Sequence, residues 1–192
     1  MKLKIATACV LAALGSPAFA QPYVGIGLGA SHGCAGHGLQ GECTGNAPNA
    51  KATIGYALLD SDIAIEGIYD HMGTFKADST FGRTEVKADT WGVAGVWRPP
   101  FGDGWSGVLR GGLLAGRSKV SVPTYQPGET LPSGRLSKSQ TFVQPYVGVG
   151  ATYAFTPRVH FEAGVDVTRI KSGGSDALDN IVSVMVGGIF GF

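Results

Sequence analysis

The chain has 192 residues with 15 Lys or Arg, 14 Asp or Glu and a formal net charge of +1, so its charge does not favour a nucleic-acid partner. Its 31 glycines are far above average usage, but they lack the three-residue period of collagen. Beyond the first twenty residues no apolar run is long enough for a transmembrane helix, so any membrane-spanning part must consist of strands.

The N-terminal residues have the pattern of a secretory signal peptide. Lys2 and Lys4 precede a short apolar run that ends in the small-residue motif SPAFA. We therefore predict a signal peptide over 1–20 and a single domain over 21–192. Without the two leader lysines the domain has 13 basic and 14 acidic residues. Export would place it in an oxidising compartment.

The domain alternates between apolar and small or polar residues in eight stretches, which is the period of a β-strand. The predicted strands cover 22–31, 50–59, 62–72, 85–98, 106–117, 141–155, 158–169 and 180–192. Short connections alternate with long ones rich in Gly, Ser, Pro and charge, which cover 32–49, 73–84, 118–140 and 170–179. Because all the short turns then lie at one end, we predict an all-β fold, an eight-stranded antiparallel up-and-down barrel.

The composition of the two strand faces indicates which face meets lipid. In 158–169, Phe161 and the valines share one face, whereas His160, Glu162 and Asp166 share the other. Across the other strands the second face carries mostly small residues, and not the Lys and Glu of a water-exposed surface. Small side chains suit the narrow lumen of an eight-stranded barrel. We therefore expect the apolar face to contact hydrocarbon, which makes the barrel a transmembrane one.

Aromatic residues near the strand ends match the interfacial belts of a membrane barrel. The belt predicted at the short-turn end consists of Trp97, Tyr153, Phe155, Phe190 and Phe192. Tyr69 and Trp91 would lie at the opposite interface. The closing segment VGGIFGF is thus expected to place its last phenylalanine in lipid at the periplasmic rim.

Four segments make the sequence similar to the OmpA/OmpX-like family of bacterial outer-membrane barrels. They are PYVGIGLGAS, IEGIYDHMG, PYVGVGATYAFTPRVHFEAGVDVT and the Phe-terminated last strand. The resemblance implies an outer-membrane location, contact with outer-membrane lipids, and a C-terminal signal read by the barrel-assembly machinery. We expect a monomer without a cofactor, a bound metal or a nucleic-acid partner.

Charged residues inside barrels of this family form a salt-bridged plug. Glu66 and Arg110 match a lumen-facing glutamate and arginine of the family, whereas Glu162 stands where the best-known relative has an arginine, so that relative's pairing does not carry over. By parity all three side chains face inward, about four residues above a short turn. The same polar network is predicted to include Lys51, Asp70, His160 and Asp166. We predict a plugged lumen, with a small pore of low conductance as the alternative.

A lipid A-modifying enzyme is a further alternative. His32, Asp78 and Ser79 supply the residue types of a base, an orienting acid and a nucleophile at the cell-surface end. The sequence lacks both the amphipathic N-terminal helix of the palmitoyltransferases and the His-x-Ser motif of the deacylases, so we predict no catalytic residue. We expect a structural role together with adhesion or host contact through the four long connections.

The domain contains two cysteines, Cys34 and Cys43, both in the first long connection. An oxidising compartment and a glycine-rich spacer favour a disulfide between them. A Cys2His2 metal site that adds His32 and His37 is the competing interpretation.

Overall fold

A computed structural model describes residues 20–33, 45–58, 61–79, 82–124, 134–171 and 178–192. The predicted signal peptide, apart from Ala20, lies outside these residues, as do both cysteines of the predicted disulfide. Within the described ranges no helix is long and apolar enough to cross a membrane.

The described chain forms eight long strands and one short strand. They are β1 (Ala20–Gly33), β2 (Asn46–Leu58), β3 (Ile63–Ser79), β4 (Gly82–Trp97), β5 (Pro100–Gly102), β6 (Trp105–Thr124), β7 (Gly134–Thr156), β8 (Val159–Lys171) and β9 (Leu178–Gly191). Long strands that follow one another in the chain pair antiparallel, and β1 also pairs with β9, which closes the sheet. The predicted eight-stranded antiparallel barrel is confirmed. Strand β5 is a short addition that pairs with the start of β6.

The turn between β5 and β6 has an unusual backbone. Gly102, Asp103 and Gly104 all have positive φ, at 124°, 39° and 83°. Glycine adopts such angles without steric cost, and aspartate is among the residues that tolerate them best. The GDG sequence therefore lets the chain reverse tightly at this end of the barrel.

Two of the predicted long loops are mostly strand, which corrects the boundaries predicted from the sequence. Strand β3 continues to Ser79 and β4 begins at Gly82, so most of 73–84 is a paired hairpin. Strands β6 and β7 stay in register out to the pair Thr124 and Gly134, so 118–140 is largely strand as well. A membrane-crossing strand needs about 9–11 residues. The excess length extends beyond the membrane, where the outer face meets water and no lipid-facing stripe marks a strand.

The outer face of the barrel is apolar at the predicted positions. The side chains of Ile26, Leu28, Ile54, Ile65, Val93, Leu113, Val147 and Val186 are all exposed on it. All seven aromatic side chains of the two predicted belts are exposed there too, and Tyr69 and Trp91 are cross-strand partners. Phe101, Trp105 and Phe161 extend the belt at the short-turn end, where the Trp105 ring lies 5.0 Å from that of Tyr153.

The buried core lies inside the barrel and is layered along its axis. A group that we call the apolar cap fills the lumen near the long-hairpin end and consists of Ala47, Met72, Phe75, Val86, Ala88, Phe142, Ile170 and Ile181. Smaller apolar groups lie lower, one of them around Tyr23, Val96 and Val108. Polar and charged side chains occupy the levels between them, and these levels form the candidate site.

Candidate functional site

Three of the predicted lumen residues form one buried ionic arrangement, held by β3, β6 and β8. Arg110 donates from Nε to Glu66 Oε2 over 2.8 Å and from Nη2 to Glu162 Oε2 over 2.6 Å. The side chains of Glu66 and Arg110 are 0% and 3% exposed, and that of Glu162 is 17% exposed. Charge-assisted hydrogen bonds of this kind are the strong ones in proteins.

Arg98 and Tyr23 complete this arrangement, and neither was among the predicted site residues. Arg98 donates from Nη2 to Glu66 Oε1 over 2.6 Å and from Nη1 to the Tyr23 hydroxyl over 3.0 Å. Tyr23 in turn donates its hydroxyl to Glu66 Oε1 over 2.9 Å. The sequence did contain a signal for Arg98. It follows Trp97, which was predicted to face outward, so the alternation of a strand predicts that Arg98 faces inward. We call these five residues the lower ionic cluster; its two arginines formally balance its two glutamates.

A second polar group, the upper polar cluster, lies closer to the long hairpins. Lys51 donates to Asp166 Oδ2 over 2.7 Å and to the Tyr146 hydroxyl over 2.8 Å. Asp70 is the cross-strand neighbour of Lys51 and is buried, but its Oδ1 accepts no hydrogen bond from any described residue. A small network joins the Asn49 amide to the hydroxyls of Ser31 and Ser183. The predicted single network is therefore two separate groups.

Two glycines on the inner wall give these clusters their space. A Cβ at Gly55 would collide with the Tyr23 ring, and a Cβ at Gly148 would collide with the Asp166 carboxylate. Gly148 and Asp166 are cross-strand partners, so the missing side chain lets the carboxylate lie against the wall. This accounts for part of the high glycine content of the strands.

A small cavity lies between the two clusters. The cavity bordered by Lys51, Arg110, Glu162 and Asp166 has a volume of about 30 Å³. That is room for about one or two water molecules. A larger space of about 180 Å³ lies at the short-turn end, where it is bordered by Tyr23, Arg98 and His160.

His160 was predicted to belong to the polar network of the lumen, and the structure places it elsewhere. It borders the space at the short-turn end and forms no hydrogen bond or ion pair with the part of the chain that the structure describes. It therefore does not extend the lumen network. Its parity was read correctly, but its position one residue from the start of β8 places it below the cluster level.

Of the three candidate catalytic residues, the structure describes the side chain of His32 alone. His32 Nδ1 lies 2.9 Å from Asn46 Oδ1 on the exposed surface. The side chains of Asp78 and Ser79 are outside the described part of the structure, as is His37. Among the described residues no group of three or more His, Cys, Asp or Glu is placed to hold a metal ion.

A closed antiparallel barrel with an apolar exterior and a polar, ion-paired interior defines the class of transmembrane outer-membrane barrels. The family model for the outer membrane protein beta-barrel domain matches residues 6–190. The chain belongs to this family and is a bacterial outer-membrane protein. No curated protein sequence matches it significantly.

Solved structures with the same fold include proteins with different activities. Neisserial surface protein A aligns with a TM-score of 0.65 and 17% identity, over 89% of this chain and 97% of that one. Ail of Yersinia pestis, in complex with the heparin analogue sucrose octasulfate, gives 0.59 and 16%, over 90% and 99%. The protease OmpT of Escherichia coli gives 0.52 and 11%, over 93% and 99%. At these identities the likeness shows the fold alone.

Proposed function

We propose that this protein is a non-conducting outer-membrane barrel, which supports the membrane and presents its long hairpins for contact outside the cell. The observation that carries the closed lumen is the lower ionic cluster. Arg110 crosses the lumen from β6 to reach carboxylates on β3 and β8. An ion-paired side chain held between β3 and β8 obstructs the axial path at its own level.

The layers above the lower ionic cluster reinforce this closure. Lys51 spans from β2 to Asp166 on β8 and to Tyr146 on β7. The apolar cap lies beyond them, and hydrocarbon side chains give a permeating ion nothing to replace its hydration shell. Three successive levels therefore oppose ion passage, which favours the plug over the small pore.

The surface role is supported by the length of the hairpins. Strands β6 and β7 have 20 and 23 residues, about twice what the membrane requires, and they stay paired to their ends. A paired hairpin offers a partner a more ordered surface than a free loop does. The structure of Ail with a heparin analogue is a precedent for a ligand on this fold. By analogy, we propose that the long hairpins of this protein contact an extracellular ligand. We further propose a monomer that the assembly machinery inserts by its terminal phenylalanine.

Single-channel recording of the refolded protein in a planar bilayer tests the closed lumen. We expect no stepwise conductance from the wild type or from Arg158→Gln, which changes a charge in the short-turn end outside the lumen. A variant that carries Glu66→Ala, Arg110→Ala and Glu162→Ala removes one of the three levels and should also stay silent once heat-dependent mobility in electrophoresis shows that it has folded, because Lys51 and the apolar cap still close the lumen. Regular conductance steps from the wild type would overturn the proposal.

The contact role is tested by shortening the β6–β7 hairpin. Joining Ser118 to Gln140 through a two-residue turn removes the protruding part and leaves the membrane-spanning part intact. We expect bacteria that display the shortened barrel to bind host cells less than bacteria that display the wild type at equal surface density. Equal binding would exclude this hairpin as the contact surface.

A further inference from the structure

The space of about 180 Å³ at the short-turn end combines an apolar wall with unused polar groups. Three neighbouring strands, β9, β1 and β2, supply the apolar wall, where Ala57 and Ile189 pack against the ring of Tyr23. Polar side chains also border the space, among them Arg98, Thr152 and His160. We call this space the lower vestibule. Since a water molecule takes up about 30 Å³, the lower vestibule has room for a ligand of several non-hydrogen atoms.

Thr152 brings a hydroxyl to the lower vestibule that no other described residue uses. The residue is 3% exposed, and its side chain takes part in no hydrogen bond within the described ranges. Its oxygen is not one of the polar atoms that are sealed from solvent without a partner. The accessible area of Thr152 therefore opens on the lower vestibule, and the hydroxyl can donate to a ligand there.

Arg98 is held in place and keeps hydrogen-bond donors to spare. Its backbone N donates to Asp62 O over 2.7 Å, and its guanidinium carbon lies 4.8 Å from the centre of the Tyr23 ring. One hydrogen on Nη1 and one on Nη2 are used within the lower ionic cluster. A guanidinium has five N–H donors, and the Nε of Arg98 is sealed from solvent. One further hydrogen on each Nη atom can therefore serve a ligand in the lower vestibule.

The charged groups around the lower vestibule favour an anion. Within the described part of the chain no carboxylate borders the space. Glu66 and Glu162 are the nearest acids by level, and arginines of the lower ionic cluster already bind both. Asp62 and Asp103 are exposed in the short turns. The imidazole of His160 donates from one ring nitrogen when neutral and from both when charged, so it adds a donor and not a competing acid.

The apolar wall narrows the class of anion. A phosphate or sulfate ion would use the donors and leave the wall of Ala57, Ile189 and the Tyr23 ring without a partner. A carboxylate with a short hydrocarbon substituent matches both parts of the space. Its source is the periplasm, because the short turns of an outer-membrane barrel lie on that side.

We propose that the lower vestibule is a binding site for a small carboxylate with a short apolar substituent, either a free acid or the carboxyl end of a peptide. The carboxylate would accept hydrogen bonds from Thr152, Arg98 and His160, and the substituent would pack against Ala57 and Ile189. This site goes beyond the proposed function. It lies at the opposite end from the long hairpins and does not depend on whether the lumen conducts.

Nuclear magnetic resonance of the refolded barrel in detergent micelles, labelled with ¹³C-histidine, tests the site. N-acetyl-alanine is the probe, and we expect a saturable shift of the His160 ring signal. His71 is an internal control, because it is exposed on the outer face with its Nδ1 2.5 Å from Asp89 Oδ1, and its signal should not move. The uncharged amide of N-acetyl-alanine should leave His160 unchanged. Equal shifts with the acid and the amide would overturn the proposal.

Two matched pairs of variants separate the polar part from the apolar part. Thr152→Val keeps the shape of the side chain and removes a hydrogen bond to a charged group, so we expect about tenfold weaker binding. Thr141→Val, on the outer face of the same strand, should bind like the wild type. Ala57→Leu fills the space and should abolish binding, whereas Ala163→Leu enlarges an outward alanine and should not. Equal affinities within either pair, among variants with the heat-dependent mobility of a folded barrel, would overturn the site.

Two further probes identify the kind of ligand. Inorganic phosphate that shifts His160 with the same affinity as N-acetyl-alanine would overturn the carboxylate assignment. Acetyl-trialanine has the same carboxyl end on a longer chain. Binding of this peptide as tight as that of N-acetyl-alanine would support a peptide end as the source, and its exclusion would support a free acid.

Discussion

Arg110 and Glu66 form a two-point ion pair inside the barrel. Nε donates to Oε2 over 2.8 Å and Nη2 donates to Oε1 over 3.3 Å, although the residues are 44 positions apart in the chain. The planar guanidinium matches the carboxylate in this side-on geometry, which a lysine could not reproduce. Because both side chains are buried, bulk water cannot replace either partner.

Arg110→Ala should therefore destabilise the barrel strongly. It leaves the fully buried Glu66 with only Arg98 as a cationic partner and leaves Glu162 without one. Removal of one partner from a buried pair typically costs about 3–5 kcal/mol. Urea unfolding in lipid vesicles measures this cost. Arg158→Ala, an exposed arginine in the turn after β7, should stay within about 0.5 kcal/mol of the wild type. If Arg110→Ala also lowered the free energy of unfolding by less than about 0.5 kcal/mol, the buried ion pair would be contradicted.

Tyr23→Phe should weaken the lower ionic cluster by a smaller amount. The substitution removes the hydroxyl that donates to Glu66 Oε1 and accepts from Arg98, and keeps the ring. Hydrogen bonds to charged groups contribute about 1.5–3 kcal/mol, and we expect a loss in this range in the same unfolding assay. Tyr56→Phe is the matched control, because Tyr56 bonds to no described residue. Equal effects of the two substitutions would show that the Tyr23 hydroxyl is not engaged.

Parity was enough to predict the wall of this barrel and part of its interior. Alternation placed Glu66, Arg110 and Glu162 inside, because each lies between lipid-facing neighbours in the membrane-spanning part of its strand. In that part the alternation of side chains is regular. It could not show that Lys51 and Asp166 belong to a separate level. The level depends on the stagger between strands, which hydrogen-bond register sets and a single strand does not reveal.

The apolar cap was beyond this reasoning for a different physical reason. Phe75 lies in a stretch predicted as loop, since Lys76 and other polar residues surround it. Outside the membrane a strand has water on its outer face, so an inward apolar residue beside outward charges is the pattern of a soluble sheet. The search for a lipid-facing stripe therefore ended each strand too early.

Val165→Arg should destabilise the barrel through its lipid face. Val165 points outward near the middle of β8, and a cation at the bilayer midplane costs about 2–4 kcal/mol in such barrels. Ile63→Arg makes the same change at the first residue of β3, beside the short-turn interface, where the cost falls to about 0–1 kcal/mol. Vesicle unfolding measures both. Equal costs would place the membrane at a different height on the barrel.

The disulfide between Cys34 and Cys43 stays a prediction, with support from its neighbours. Gly33 N donates to Gly45 O over 3.2 Å, so the ends of β1 and the chain before β2 are adjacent at this point. We expect the unreduced protein to resist alkylation and to gain two alkyl groups after reduction. Intact mass spectrometry reads both states. Alkylation of both cysteines without reductant would exclude the bond, and metal-dependent protection would favour the Cys2His2 site.

The central claim is that charges in this lumen neutralise one another away from water, and a double-mutant cycle between Glu66 and Arg110 tests it most directly. The cycle compares Glu66→Gln, Arg110→Met and the double variant with the wild type by unfolding in vesicles. Close, desolvated charge pairs couple by about 1.5 kcal/mol or more, whereas solvated pairs give about 0–1 kcal/mol. We predict a coupling energy above about 1.5 kcal/mol between Glu66 and Arg110, which is the lower end of the range for close charge pairs. Additivity within about 0.5 kcal/mol would mean that water fills the lumen, and would contradict the account.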